Sequence, residues 1–129
     1  MVGFSGLAAV ALGGALGACL RYFVSIGLSS TLNSGFPLGT LAANLTGCLL
    51  IGAAAALLPV EDGPRTTLRL FVVVGCLGGF TTFSSFGLET VQLLEEDRVR
   101  EAVTYVLASN VGGLALCFLA WFVTGFSRR

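Results

Sequence analysis

Apolar residues run along this chain in stretches too long for the core of a water-soluble domain. Charges are absent from Met1 to Leu20, from Tyr22 to Val60, from Leu70 to Leu88 and from Ala102 to Ser127, and about 20 apolar residues suffice for a helix to cross the hydrocarbon of a bilayer. The second stretch holds most of two spans, divided by Asn33-Ser34-Gly35-Phe36-Pro37, a cluster with turn chemistry. The pattern predicts four transmembrane helices, over Val2 to Thr31, Leu38 to Leu58, Thr66 to Leu94 and Val99 to Phe126. Pro59-Val60-Glu61-Asp62-Gly63-Pro64 and Glu95-Glu96-Asp97-Arg98 make the two remaining connections. The expected fold class is all-α integral membrane, with residues 1–129 forming a single four-helix transmembrane domain and no water-soluble part.

The third span carries an interruption. Gly78-Gly79-Phe80-Thr81-Thr82-Phe83-Ser84-Ser85-Phe86 sets a glycine pair and four hydroxyl residues inside an uncharged run. In hydrocarbon each freed N–H or C=O costs several kcal/mol unless it finds a partner, so irregular backbone at that depth belongs where it is buried in protein or lines a watery site. Helices broken near the midplane commonly bind ions. Carbonyls freed at Gly78 and Gly79 are hard oxygen ligands suited to Na⁺, whereas the hydroxyls of Thr82 and Ser84 and the amide of Asn44 can donate to an anion. Phe83 and Phe86, at i and i+3, share a face. They are either core aromatics or, presented edge-on, a weakly electropositive lining for a narrow path.

Polar residues elsewhere in the spans each need a partner or water. Thr40 and Asn44 lie at i and i+4 on one face of helix two, and Tyr105 and Ser109 repeat that spacing in helix four with Asn110 beside them. Both sets serve either interhelical hydrogen bonding or donation to a passing anion. Arg21, the only charge among the first sixty residues, either snorkels or caps a neighbour's carbonyls, or draws anions toward a pore mouth. Glu89 suggests proton coupling, set against a carboxylate that faces water near a helix end. Gly13 with Gly17, Gly14 with Ala18, Ala43 with Gly47, and the pair Gly112 and Gly113 read as close helix packing.

Composition sharpens this picture. The chain is 55% hydrophobic and 11% charged, with 18 glycines and no net formal charge, and its mean hydropathy is +0.92. Nothing basic invites nucleic acid. Cys19, Cys48, Cys76 and Cys117 fall one to a span, without metal-type spacing, and read as small buried thiols. No Lys or Arg precedes the apolar run from Met1 to Ala18, which argues against a cleaved signal peptide. Four spans leave both termini on one side, where Arg65, Arg69, Arg128 and Arg129 stand against Arg98 and Arg100 on the other. So small a bias is compatible with insertion in both orientations, and two inverted copies can pair about an axis in the membrane plane.

The segments Gly13-Gly14-Ala15-Leu16-Gly17-Ala18 with Arg21-Tyr22, Pro37-Leu38-Gly39-Thr40-Leu41-Ala42-Ala43-Asn44 with Gly47, and Gly75-Cys76-Leu77-Gly78-Gly79-Phe80-Thr81-Thr82-Phe83-Ser84-Ser85-Phe86 resemble those of the CrcB/Fluc fluoride channels. The third motif is highly specific. Its one departure is Ser85, often threonine in relatives, which keeps the hydroxyl. The resemblance implies an antiparallel dual-topology homodimer in the cell membrane, two fluoride pathways and a central structural Na⁺, with passive export of fluoride from the cytoplasm. By the same resemblance Gly78 and Thr81 supply Na⁺-binding carbonyls. Phe83 and Phe86 match the family's pore-lining phenylalanines, Asn44 its pore asparagine, and Tyr105 and Ser109 match polar pore residues through a weaker motif, while Thr40, Thr82 and Ser84 are expected to join them as pore residues from their hydroxyl chemistry alone.

No phosphate-binding loop or acidic phosphorylation motif can be placed in these helices, so an enzyme is not expected. A proton-coupled exporter of the small multidrug resistance type would need a carboxylate deep in helix one, and the first acid here is Glu61. A noncatalytic membrane assembly subunit would need only packing, and would leave Asn44 and the interrupted third span without a role.

Overall fold

The computed structural model describes residues 3–32, 35–58 and 64–126. Among them are four helices long and apolar enough to cross a membrane. Helix α1 covers Phe4–Leu32 and α2 covers Leu38–Leu57. The third span is two helices: α3, over 64–80, and α4, over Phe83–Glu95. Helix α5, Val99–Phe126, is the fourth span. These bounds lie within a few residues of those the hydrophobic pattern predicts. The expected start at Val2, the tips Asn33-Ser34 and Pro59 to Gly63, and the terminal Arg128 and Arg129 lie outside the described residues.

Large apolar side chains point outward all round the molecule. Leu12, Phe23, Leu114 and Phe118 are each about two-thirds exposed or more, a surface that water would not tolerate on a monomer and that lipid covers. The interior is built instead from small residues. With no hydrophobic drive between helices in lipid, close backbone approach supplies the packing. A Cβ on Gly13 would collide with the Phe71 carbonyl, and one on Gly17 with the Cys76 carbonyl and, at 2.8 Å, the Phe80 nitrogen, so α1 lies directly on α3. Helices α2 and α5 run parallel in matched register. Gly113 leaves room for the Cys48 sulfur, and one turn further on Gly52 leaves room for the backbone of Cys117.

Two of the spans contain wide π turns, at Leu70–Leu77 in α3 and Ala108–Gly112 in α5. Such turns inside α-helices often mark functional positions. Each end of the bundle is tied by an arginine. Arg69 donates to the Leu58 carbonyl at the end of α2, 3.2 Å away. On the opposite end Arg98 donates to the Gly35 carbonyl at 2.9 Å and to the carboxylates of Glu96 and Glu101. Those hydrogen bonds, Glu101's first, hold its guanidinium pKa above the ordinary arginine value. The tight reversal between α4 and α5 places Asp97 at φ 58°, a left-handed conformation that a short polar side chain accommodates.

Candidate functional site

The interruption of the third span falls three residues later than the glycine pair suggests. Gly78–Phe80 is still helical, and the chain becomes extended at Thr81 (φ −85°, ψ 155°) and Thr82 (φ −151°, ψ 124°) before α4 begins. The expected release at Gly78 and Gly79 is therefore corrected in origin. Gly79 is a packing residue, because a Cβ there would stand 2.6 Å from the Gly14 carbonyl of α1. The break belongs to the two threonines.

Side chains take over the hydrogen bonds that the helix gives up. Asn44 of α2 donates through Nδ2 to the Thr82 carbonyl at 3.0 Å, and its Oδ1 accepts from the Thr82 N–H at 2.8 Å. This two-way clasp uses one amide hydrogen and leaves the other. Thr82 then caps α4, its Oγ1 accepting from the Ser85 N–H at 3.2 Å. The same hydroxyl stands 3.2 Å from those of Ser84 and Ser85.

These diversions decide which carbonyls are released. In a continuous helix the Thr82 N–H would bond the Gly78 carbonyl and the Ser85 N–H the Thr81 carbonyl. Both donors are turned to side-chain oxygens, so Gly78 and Thr81 lose their helical partners. Leu77 keeps a partner in the Thr81 N–H at 3.1 Å, and the Gly79 carbonyl accepts from Arg21 Nε at 3.3 Å. Arg21 thus caps the broken end rather than standing free, the structural one of its two expected readings. Two hard oxygens released three residues apart on one helix end match the donor chemistry of a small cation such as Na⁺. One chain offers too few of them to complete a coordination shell.

Beside the break lies a cavity of about 300 Å³, lined by Asn44, Cys48, Phe83, Phe86 and Ser109 among others. Phe83 and Phe86 share it as their spacing predicts, with ring centroids 5.5 Å apart and planes tilted by 47°. Their environments differ sharply. Phe86 is 8% exposed and packs on Tyr105, whereas Phe83 is 79% exposed. The Ser109 hydroxyl oxygen is buried without a hydrogen-bond partner, a donor held ready in a low-dielectric wall. Asn110, exposed yet also lining the cavity, turns its amide to the Val106 carbonyl of its own helix.

One turn toward the α4–α5 reversal, Thr40 and Tyr105 meet on a residue that the pattern left without a partner. Glu89 accepts from Thr40 Oγ1 at 2.7 Å and from Tyr105 Oη at 2.6 Å, one bond to each carboxylate oxygen. Tyr105 is fully buried and Thr40 nearly so. Glu89 therefore faces inward, against the expectation for a carboxylate near a helix end. The i, i+4 polar pairs on α2 and α5 were the available signal. Only their matched register shows that one acid serves both.

A chain apolar outside, with a clasped break, released carbonyls and a partly polar, open-sided cavity beside them, is a multi-pass membrane protein with an intramembrane polar site. Comparison makes this specific. The family described as CrcB-like protein, Camphor Resistance (CrcB), matches residues 8–121. A protein of Paracoccus denitrificans strain Pd 1222, named fluoride-specific ion channel FluC, is 52% identical over 106 residues, covering 82% of this chain and 83% of that one. Proteins of the same name from Helicobacter acinonychis strain Sheeba and Helicobacter pylori strain 26695 are 45% and 44% identical over 115 residues, 88% of this chain and 90% and 88% of theirs. The chain belongs to the CrcB family.

Proposed function

We propose that this chain is a fluoride-selective channel of the cell membrane that lets fluoride leave the cytoplasm passively. The observation that carries the reading is the break at Thr81 and Thr82, with Asn44, Phe83, Phe86 and Ser109 around the cavity beside it. Fluoride is small and tightly hydrated, so a path must offer closely spaced donors without trapping the ion. The free amide hydrogen of Asn44, the unpartnered Ser109 hydroxyl and the ring edges of Phe83 and Phe86 are such donors. The names of the relatives supply the identity of the anion, and they favour a channel over an enzyme. Export follows from acid chemistry: neutral HF enters from acidic surroundings, dissociates at cytoplasmic pH, and fluoride runs out through the path.

The working unit in this reading is an antiparallel homodimer with two pathways about a central Na⁺. The Gly78 and Thr81 carbonyls of each chain would hold the ion, which supplies a fixed positive charge at mid-membrane. Exposure of Ser84 and Phe83 beside the break supports a covering partner, since a hydroxyl and open backbone facing lipid are costly. Each copy would complete the other's shell, tying folding to assembly.

Fluoride efflux from liposomes tests the function. Efflux without a proton gradient is the expected result, whereas substrate-dependent proton antiport would indicate an exporter and silence an assembly subunit. Phe83→Ile should abolish flux while the protein stays folded, because the ring lies outside the packed core. Phe86→Ile should abolish flux and also lose stability. Normal throughput in both variants removes the phenylalanines from the mechanism. A C-terminal tag should be found on both faces of the membrane, and detection on one face only would refute the inverted pair.

A further inference from the structure

We propose that Phe36 is a further residue of the ion path, the ring that closes it at the end of the bundle where α4 turns into α5. The role in conduction rests on the channel reading. Phe83, Phe86, Tyr105 and Phe36 stand in file, with successive ring centroids 5.5, 5.2 and 5.7 Å apart. The first two border the cavity beside the break, and Tyr105 lies next to them, completely buried. Phe36 is half-buried and belongs to the connection between α1 and α2, so the file runs from the break to the end of the bundle. Its plane meets that of Tyr105 at 78°, the edge-to-face arrangement that aromatic quadrupoles favour.

The backbone fastens this ring from both sides. Before it, Arg98 donates to the Gly35 carbonyl at 2.9 Å and is itself held by Glu96 and Glu101. After it, the Leu38 N–H bonds the Phe36 carbonyl at 2.7 Å across Pro37 (φ −76°, ψ 58°), an inverse γ-turn. The two members of the outer pair are nevertheless held unequally. Tyr105 is part of α5 and donates to Glu89 at 2.6 Å, whereas Phe36 lies in no helix and is the member that can swing. In place, it keeps water from Tyr105 and Glu89 at that end, as hydrophobic constrictions do when they gate by dewetting. An anion leaving the level of Tyr105 must displace it, so the contact between the two rings sets throughput. A packing role makes the opposite forecast. Phe36 precedes the N-cap of α2 and packs, like Leu41, on the cluster around Phe86 and Tyr105, which is the pattern of a hydrophobic staple. Loss of a staple costs stability and leaves throughput level or lower, whereas loss of a closing ring raises it.

The test measures initial fluoride efflux from liposomes, per reconstituted chain, for the parent, Phe36→Ala, Phe36→Leu and Arg98→Gln. Phe36→Ala should raise the rate by about 2- to 10-fold, the range an aromatic contact contributes to an opening equilibrium. Phe36→Leu restores bulk and should fall back toward the parent, and Arg98→Gln, which keeps the ring and cuts its tether, should rise less than Phe36→Ala. A rate at or below the parent's in folded Phe36→Ala would overturn the closure, and if that variant does not fold Arg98→Gln decides by the same criterion. A second readout does not depend on fluoride. The chain has two tyrosines, so 3-fluorotyrosine in a Tyr22→Phe background labels Tyr105 alone, and the change of its fluorine resonance between H₂O and D₂O reports water at the ring. The parent should show no change and Phe36→Ala a clear one. A change in the parent, or none in folded Phe36→Ala, would also overturn the proposal. A parent that carries no fluoride yet gives the expected pair of spectra would refute the channel and leave Phe36 standing as the seal over Tyr105.

Discussion

Replacing Asn44 by alanine removes both arms of the clasp on Thr82, the 3.0 Å donation and the 2.8 Å acceptance. Interhelical hydrogen bonds in membranes average about 0.6 kcal/mol and reach about 1.7. Two of them set an expected loss of about 1 to 3.5 kcal/mol, rising to about 6 if neither peptide group finds a new partner. Denaturant unfolding in mixed micelles reads the global term. Amide exchange at Thr82 reads the local one, and a loss of 1.4 kcal/mol there is about tenfold in rate. Asn44→Asp separates the arms. It keeps an oxygen for the Thr82 N–H but opposes the Thr82 carbonyl with a second oxygen, so exchange should stay nearer the parent than in Asn44→Ala while stability still falls. An alanine variant with parental unfolding and parental exchange at Thr82 would refute the clasp, and with it the account of why the Gly78 carbonyl is released.

Four further outcomes are expected. Gly17→Ala should destabilise by more than about 1 to 3 kcal/mol, because its Cβ meets backbone of α3 at Cys76 and Phe80 that cannot swing aside. Gly27→Ala, with nothing within 4 Å of the added carbon, should be neutral or gain up to about 1 kcal/mol from helix propensity, and equal losses at the two positions in an unfolding titration would contradict the packing. Tyr105→Phe strips one of the two hydroxyl bonds from Glu89 and should cost about 0.6 to 1.7 kcal/mol on the membrane scale. The addition of Thr40→Val should then cost less than it does alone if the two bonds are coupled through the shared carboxylate, a double-mutant comparison that additive losses would settle against the network.

Much of the architecture is legible in the chain because the bilayer is a demanding solvent. Four long uncharged runs leave one solution for the backbone, and the observed helices sit close to the boundaries that hydropathy and turn residues mark. The small-residue motifs also translate directly, Gly13 and Gly17 into backbone contact with α3. Asn44 and Thr82 were readable as polar residues in need of partners. Their partnership with one another was not, nor was the displacement of the break from Gly78 and Gly79 to Thr81 and Thr82. A glycine pair in a span signals either a weak helix or a tight contact, and spacing cannot distinguish the two. The Gly14 carbonyl, 2.6 Å from the missing carbon of Gly79, does.

What the sequence determined alone was the number of spans, their limits and the residue types at mid-membrane, since the cost of burying charge or unpaired backbone in hydrocarbon acts on each segment independently. The tertiary structure decided everything that depends on which faces meet. The register of α2 against α5 sends Thr40 and Tyr105 to one carboxylate, and the approach of α2 to the break lets one amide hydrogen-bond both the N–H and the carbonyl of Thr82. Hydrogen bonds are short-ranged and directional, so a partner some forty residues away, as Thr82 is from Asn44, becomes visible only once the helices are packed.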